Sequence, residues 1–437
     1  MKQIFYIIAA LGILFTSCDK EEELLFEKTA QERIKEKKEL CMSTLLDSEK
    51  GWKVEVNPGR EDIGIYNFLI KFDENKKAIM ADDIDIWLTL DGTPSPKDSA
   101  YFDVKYTDDV EIVFETFSRF NYFYNPEKVL KGENPNKSLG GDIELLVKEI
   151  EADKIVCEGK VNGGIYTFTK TTTEDYVAML DIHRAIELNL AFLIVDDQYL
   201  FPTIEFENGD KVGFTYNFET RTATLTYNEG NELVSKDIKV TYDDKGVIFS
   251  EPISFNNHSL TRLDYDAATN SFASSATEEK ANFKLAMLPP YKTKGLPEMF
   301  NKIKFGPVTG KSKTAKKMFR ALEGANERFT TLQFYNDPKL FHGWAFKFSD
   351  DSEWPYVKLK DNKFDILDTD RIRFTPDGVF NEKNGTIDLN EVLKTPEGKA
   401  LYDIMFAPEG FVVVREIACR LISVKDPSFW ILVSNWD

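Results

Sequence analysis

Trp52-Lys53-Val54-Glu55-Val56, then Tyr66-Asn67-Phe68-Leu69-Ile70-Lys71-Phe72 running straight into Asp73-Glu74-Asn75-Lys76, decide how this chain is read. In the first run apolar and charged side chains alternate, the period-2 pattern of a strand with one face in a core and one in water. The second is almost continuously apolar, and the polar tetrapeptide after it is turn chemistry. Working outward, strand-like runs follow at residues 84–90, 101–106, 110–115, 143–150, 154–161 and 165–169. Asp108-Asp109, Glu151-Ala152-Asp153 and Asn162-Gly163-Gly164 separate several of them. Such a count of short antiparallel strands suits a barrel or a sandwich. A polar loop at 125–141 interrupts the meander. Ahead of it, Thr29-Ala30-Gln31-Glu32 is a capping box, with Ile34, Cys41 and Leu45 on one face, which predicts a helix to about Leu46 that stops before Gly51.

The pattern then restarts. Thr171-Thr172-Thr173 caps an expected helix through Tyr176, Met179, Leu180, His183 and Ile186. Strand-like runs follow at 190–195, 203–207, 211–218, 222–227, 235–242, 247–250 and 260–265. Asn208-Gly209 is the strongest hairpin signal in the chain, because both residues tolerate the positive φ of a two-residue turn. Two helix-then-meander units suggest a duplication. Tyr106-Thr107-Asp108-Asp109 before Ile112-Val113-Phe114 echoes Tyr242-Asp243-Asp244 before Val247-Ile248-Phe249. Residues 266–280, rich in Ala, Ser and Thr, read as a linker. Beyond them lie a basic helix at 312–322, strands at 329–335 and 344–348, a helix through Leu401 and Met405 preceded by Pro396-Glu397-Gly398, and strands at 410–415 and 429–433. The expected fold is therefore α+β and mainly antiparallel β. Two helix-plus-meander domains, 29–172 and 173–275, precede a mixed α+β domain at 281–437.

The length of 437 residues exceeds one ordinary core, and 42% apolar with 13% aromatic residues supplies material for several. A formal charge of −19 disfavours binding to nucleic acid, and no nucleic-acid partner is expected.

Targeting is written at the start. Lys2, an apolar run from Ile4 to Phe15, and Thr16-Ser17 before Cys18 describe a cleaved secretory signal at 1–17, too short to span a membrane. Leu14-Phe15-Thr16-Ser17-Cys18 resembles the lipobox of Bacteroidetes lipoproteins, which implies a diacylglycerol anchor on Cys18. Lys20-Glu21-Glu22-Glu23, in an acidic tether at 18–28, resembles the export signal that sends such proteins to the outer face of the outer membrane. The expected location is lipid-anchored in the outer membrane, facing the exterior. With Cys18 lipidated, Cys41, Cys157 and Cys419 remain; the odd count leaves at least one free or paired between chains, and Cys157 reads as a buried hydrophobe.

A second resemblance covers roughly residues 29–275. Its residues are Leu45-Leu46, Gly51-Trp52-Lys53-Val54-Glu55, Tyr66 through Asp73, Phe114-Glu115-Thr116, Asn125-Pro126, Gly140-Gly141-Asp142-Ile143-Glu144, Asp153-Lys154-Ile155-Val156, Tyr242 through Val247, and Pro252-Ile253. They resemble the Bacteroidetes lipoprotein family called domain of unknown function 4302. Ile63-Gly64-Ile65 and Arg119-Phe120 depart from its pattern. The resemblance implies an exported lipoprotein beside a TonB-dependent nutrient uptake system, and it supplies no catalytic residues.

Chemistry is sparse elsewhere. His183, His258 and His342 are the only histidines, none at metal-ligand spacing, so no metal or other cofactor is expected. Gly306-Pro307-Val308-Thr309-Gly310-Lys311-Ser312 is one residue short of a phosphate loop and reads as a turn before a helix. Residues 292–320 hold nine basic residues against Glu298 alone. The simplest reading is a solvated helix face with a loop; the alternative is contact with anionic lipid phosphates or an acidic partner. Trp344, Phe346 and Phe348 alternate, which places them in a core. Trp354 and Tyr356, with Asp350 and Asp351, are the candidates for a sugar-binding face of flat rings beside carboxylates. Phe117, Phe120, Tyr122, Phe123 and Tyr124 form a second aromatic cluster. The expected function is non-catalytic binding of a ligand or partner for nutrient uptake. The alternatives are a structural subunit of a surface assembly, contacting through Cys41 or the basic run, and a carboxylate-dependent hydrolase.

Overall fold

The computed structural model describes residues 28–83, 98–124, 138–171, 182, 185, 194–195, 198–217, 220–326, 328–337, 339–349, 354–381, 383, 385–415 and 418–434. The chain falls into two compact units, Met1–Glu61 with Tyr66–Tyr176, and Asp62–Ile65 with Val177–Asp437.

In the first unit, helix α1 (Ala30–Leu46) begins at the expected capping box. The Thr29 hydroxyl accepts the Glu32 amide at 3.3 Å, and the Glu32 carboxylate accepts the Thr29 amide at 2.9 Å. Strands β1 (Trp52–Asn57), β2 (Tyr66–Phe72), β3 (Lys77–Asp82), β4 (Asp98–Tyr106), β5 (Val110–Phe114), β6 (Glu144–Ile150), β7 (Lys154–Gly159) and β8 (Ile165–Lys170) pair in sequence. Pairing of β1 with β8, Val54 opposite Phe168, closes them into a barrel. The sequence pattern passes over β3, whose Lys and Ala residues carry little strand preference. Its place is set by the preceding hairpin, where the Asp73 carboxylate accepts the amides of Asn75 and Lys77. The strand expected at 84–90 lies outside the described residues.

An eight-stranded barrel is about wide enough for its own side chains, and this one is filled. Phe120 packs edge-on against Phe68, Phe114 and Tyr166 at 4.8, 5.0 and 5.3 Å. Phe123, on the short helix α2 (Asn121–Tyr124), packs on Tyr66 at 4.7 Å. The second aromatic cluster is thus largely a barrel plug, with Phe117 and Tyr124 exposed. Arg119 forms a buried ion pair with Asp82. The Gly140-Gly141-Asp142 stretch is structural too. A Cβ on Gly141 would lie 2.3 Å from that of Phe123, while buried Asp142 accepts the amides of Val161 at 3.1 Å and Asn162 at 3.0 Å.

The second unit repeats the plan. A small ladder, β9 (Ile194–Val195) with β10 (Gln198–Tyr199), precedes the second barrel. That barrel comprises β11 (Phe201–Phe206), β12 (Lys211–Asn217), β13 (Thr222–Glu229), β14 (Glu232–Tyr242), β15 (Gly246–Phe255), β16 (His258–Asp266), β17 (Ser271–Ala273) and β18 (Ala281–Ala286). It closes through β11 and β18, with Ile204 opposite Phe283. Asn208-Gly209 lies in the expected hairpin between β11 and β12, but not as a two-residue turn. Gly209 takes φ +92° while Asn208 keeps a negative φ, and the Phe206 amide donates to the Asp210 carbonyl at 2.9 Å across a three-residue turn. Residues 266–280 are not a linker: they contain β17, and the boundary expected at 275 falls before the strand that closes the barrel. The echoed Tyr106 and Tyr242 segments both form the hairpin between the fourth and fifth strands of their barrels. Of the segment expected to be helical around 171–186, Thr171, Ile182 and Ala185 are described; Thr171 is not helical, and Ile182 and Ala185 are helical and buried. Asp62–Ile65 belongs to this unit. The Gly64 amide donates to the Thr220 carbonyl at 2.6 Å, and a Cβ there would lie 1.9 Å from the Arg221 carbonyl oxygen.

The C-terminal region is β-rich rather than mixed, a correction to the expected fold. Strands β19 (Phe305–Lys311), β20 (Phe329–Asn336), β21 (His342–Phe348), β22 (Tyr356–Leu359), β23 (Asp365–Asp368), β24 (Arg371–Arg373), β25 (Pro376–Phe380), β26 (Phe411–Arg415), β27 (Cys419–Ser423) and β28 (Trp430–Val433) form one curled sheet. Its order is β23-β24-β26-β27-β28-β19-β20-β21-β22-β25. Helices α3 (Leu296–Phe300), α4 (Lys313–Ala325), α5 (Leu389–Lys394) and α6 (Pro396–Met405) share its core, in which Trp344, Phe346 and Phe348 are buried as expected. Strands of three to five residues such as β24 are too short to show a period, so their pairing comes from contacts distant in sequence.

Candidate functional site

Strand β19 and helix α4 carry most of the residues around a cavity of about 660 Å³ in the second unit. The stretch that resembles a phosphate loop is not a turn: Phe305–Lys311 is strand β19, with an irregularity between Val308 and Gly310 where it pairs with β28. Fully buried Ser312 follows. Its hydroxyl accepts the amides of Ala315, capping α4, and of Trp430 on β28, each at 3.1 Å.

Lys316, Phe319, Arg320 and Glu323 stand at i, i+3, i+4 and i+7 on α4, one helical face, and all four line the cavity. The Lys311 ammonium lies 4.5 Å over the Phe319 ring, and burial pushes its pKa below that of an ordinary lysine. Among the described residues no carboxylate makes a close ion pair with Lys311 or Arg320, although the charge of Glu323 acts on Lys311. Tyr199 and Trp430 complete the wall, their rings edge-on at 5.3 Å. Behind them, buried Arg420 places its guanidinium 4.9 Å from the Tyr199 ring and donates to the Tyr199 carbonyl at 3.3 Å. The expected solvated helix face is therefore one wall of a cationic, aromatic cavity. The helical spacing of α4 was visible in sequence. Tyr199 and Trp430 were not, since only the fold brings them to it.

The sugar-face candidates have other neighbours. Tyr356 stacks on Phe341, just ahead of β21, at 3.7 Å and on Phe380 of β25 at 5.2 Å, so its ring packs within the aromatic cluster of this sheet. Trp354 packs on Tyr335 at 5.7 Å, with the Lys347 ammonium 4.5 Å above its ring. Asp350, Asp351, Cys18 and Lys20 through Glu23 lie outside the described residues. A smaller cavity of about 160 Å³ is lined by Tyr291, Asp370 and Arg415 among others. Among the described residues no group of three or more His, Cys, Asp or Glu is arranged to hold a metal ion. His258 instead bridges two carboxylates, Nε2 to Asp210 at 2.9 Å and Nδ1 to Glu279 at 2.6 Å, and stacks on Phe206 at 4.0 Å.

These features define a protein of tandem closed β-barrels followed by a curled antiparallel sheet with a cationic cavity. Residues 22–267, more than half of the chain, match the family described as Domain of unknown function (DUF4302), and the chain belongs to that family. No curated protein and no solved structure matches it.

Proposed function

We propose that this chain is a non-catalytic lipoprotein, anchored through Cys18 in the outer membrane and facing the exterior, that binds a ligand or partner for a TonB-dependent nutrient uptake system. The placement of Cys18 right after Thr16-Ser17 at the end of the apolar run carries the reading, with Lys20-Glu21-Glu22-Glu23 supporting export. The cavity on α4 supports binding: its volume of about 660 Å³ lies within the ~300–1,000 Å³ usual for small-molecule sites. Each of the two cavities described above carries one carboxylate, Glu323 or Asp370, where a carboxylate-pair hydrolase needs two. Cys41, the thiol considered for contacts between chains, is buried, which weighs against the assembly alternative.

Metabolic labelling with an alkyne fatty acid tests the anchor. The wild-type chain is expected to take up the label and Cys18→Ser to lose it, and protease added to intact cells is expected to cleave the protein. An unlabelled wild type, or protection until the outer membrane is permeabilised, would sink the reading.

A further inference from the structure

We propose that the cavity between β19, β28 and α4 binds an acidic saccharide, a pyranose bearing a carboxylate, sulfate or phosphate. Lys311 and Arg320 hold the anionic group, and Tyr199 lies against the ring. This rests on the binding reading above and names the chemistry of its ligand.

Lys311 is half-buried, sits over Phe319 and, among the described residues, makes no close ion pair, feeling only the charge of Glu323 from α4. A cation partly withdrawn from water with no carboxylate in close contact is incompletely compensated, and an incoming anion relieves that cost. Burial also pushes its pKa down, which an anion bound at the ammonium reverses. Arg320 likewise makes no close ion pair among the described residues, and its planar fork matches paired oxygens of a carboxylate, sulfate or phosphate. Lys316 adds a third positive charge on the same helix face. In a chain of net charge −19, three cations around one cavity stand out against an overall negative background.

The remaining lining residues select a sugar over a bare anion. Tyr199 is 36% exposed at the wall, a flat apolar surface steadied from behind by Arg420. Glu323, the cavity's one carboxylate, and the hydroxyls of Thr309 and Thr330 are acceptors and donors suited to sugar hydroxyls. The open volume of about 660 Å³ is of the size usual for a small-molecule site.

Isothermal titration calorimetry of the full-length chain in detergent tests the proposal. The probes are an oligogalacturonate, a sulfated disaccharide, a sugar phosphate, neutral counterparts of each, and an acidic peptide. At least one acidic saccharide is expected to bind at millimolar concentration or below, about tenfold or more tighter than its neutral counterpart, and more weakly as salt rises. Lys311→Gln and Arg320→Gln are each expected to weaken it about tenfold. Tyr199→Ala should weaken the saccharide but not inorganic sulfate, and Lys339→Gln, outside the cavity, should change neither. Circular dichroism of each variant confirms folding. Equal binding of neutral sugars, unchanged affinity in both cation variants, binding of the acidic peptide alone, or no acidic saccharide bound at all would overturn the proposal. The titration does not depend on the lipid anchor, so its failure leaves the localisation standing, and failed fatty-acid labelling leaves the cavity standing.

Discussion

His258 shows how a single residue ties distant turns together. It lies where β16 begins, and its ring nitrogens reach Asp210 beside the Asn208-Gly209 turn and Glu279 ahead of β18. Burial alone lowers an imidazole's pKa, but here the hydrogen bonds and charges of Asp210 and Glu279 outweigh it and hold His258 above its ordinary value. Because the folded-state pKa is raised, its stabilising contribution is complete below about pH 6.5 and is lost as pH rises through the raised value. Asp210 works in the opposite sense: hydrogen bonding to His258 depresses its pKa, so its contribution is present above the usual carboxylate range and lost as pH falls through the depressed value. The clamp is therefore strongest in the acid-to-neutral window between them. Thermal melting across pH should show second-unit stability declining above neutrality, and His258→Phe should flatten that decline. An unchanged slope in the variant would remove His258 as its source. The sequence named His258 but gave it no partner, since Asp210 and Glu279 come within reach only through the barrel's register.

At the scale of elements, local chemistry was legible wherever it was self-contained. Helix α1 follows from Thr29 and Glu32, whose capping roles the structure reproduces, and helix α6 was expected beside Pro396, where the structure adds Thr395 as its cap. Strands with clear alternation, β1 and β21 among them, were equally readable. Strands β3, β18 and β24 were not, because their short or weakly patterned segments are held by neighbours rather than by preference. Residues Phe305–Lys311 fared likewise: glycine and proline read as turn, yet pairing with β20 and β28 makes them a strand. Ser312 joins the two levels, capping α4 while accepting an amide from β28. Ser312→Ala should therefore cost about 1–2 kcal/mol in urea unfolding of the second unit. A variant as stable as wild type would show that cap and strand tie are dispensable.

At the scale of the whole molecule, three buried thiols report on the two units separately. Cys41 and Cys157 lie in the first and Cys419 in the second, and all three are free. Burial pushes Cys41 up to about 12 and Cys419 up to about 11, so little reactive thiolate forms near neutrality. In a Cys18→Ser chain, thiol labelling read by mass spectrometry should be slow in native conditions. Under increasing denaturant Cys41 and Cys157 should label together, with Cys419 following its own transition; rapid native labelling of any of the three would contradict their burial. The sequence by itself determined an antiparallel β protein, its first helix, its strongest hairpin and its family. These are read from period, caps, turn residues and short motifs that act over a few positions. Tertiary structure alone decided that both meanders close into barrels, that the aromatic cluster after β5 plugs the first, and that the last third is one curled sheet. It also decided that Tyr199 and Trp430 meet Lys311 and Arg320. Closure, filling and cavity walls depend on pairing between residues far apart in the chain, and no local pattern encodes which distant partner a strand will find.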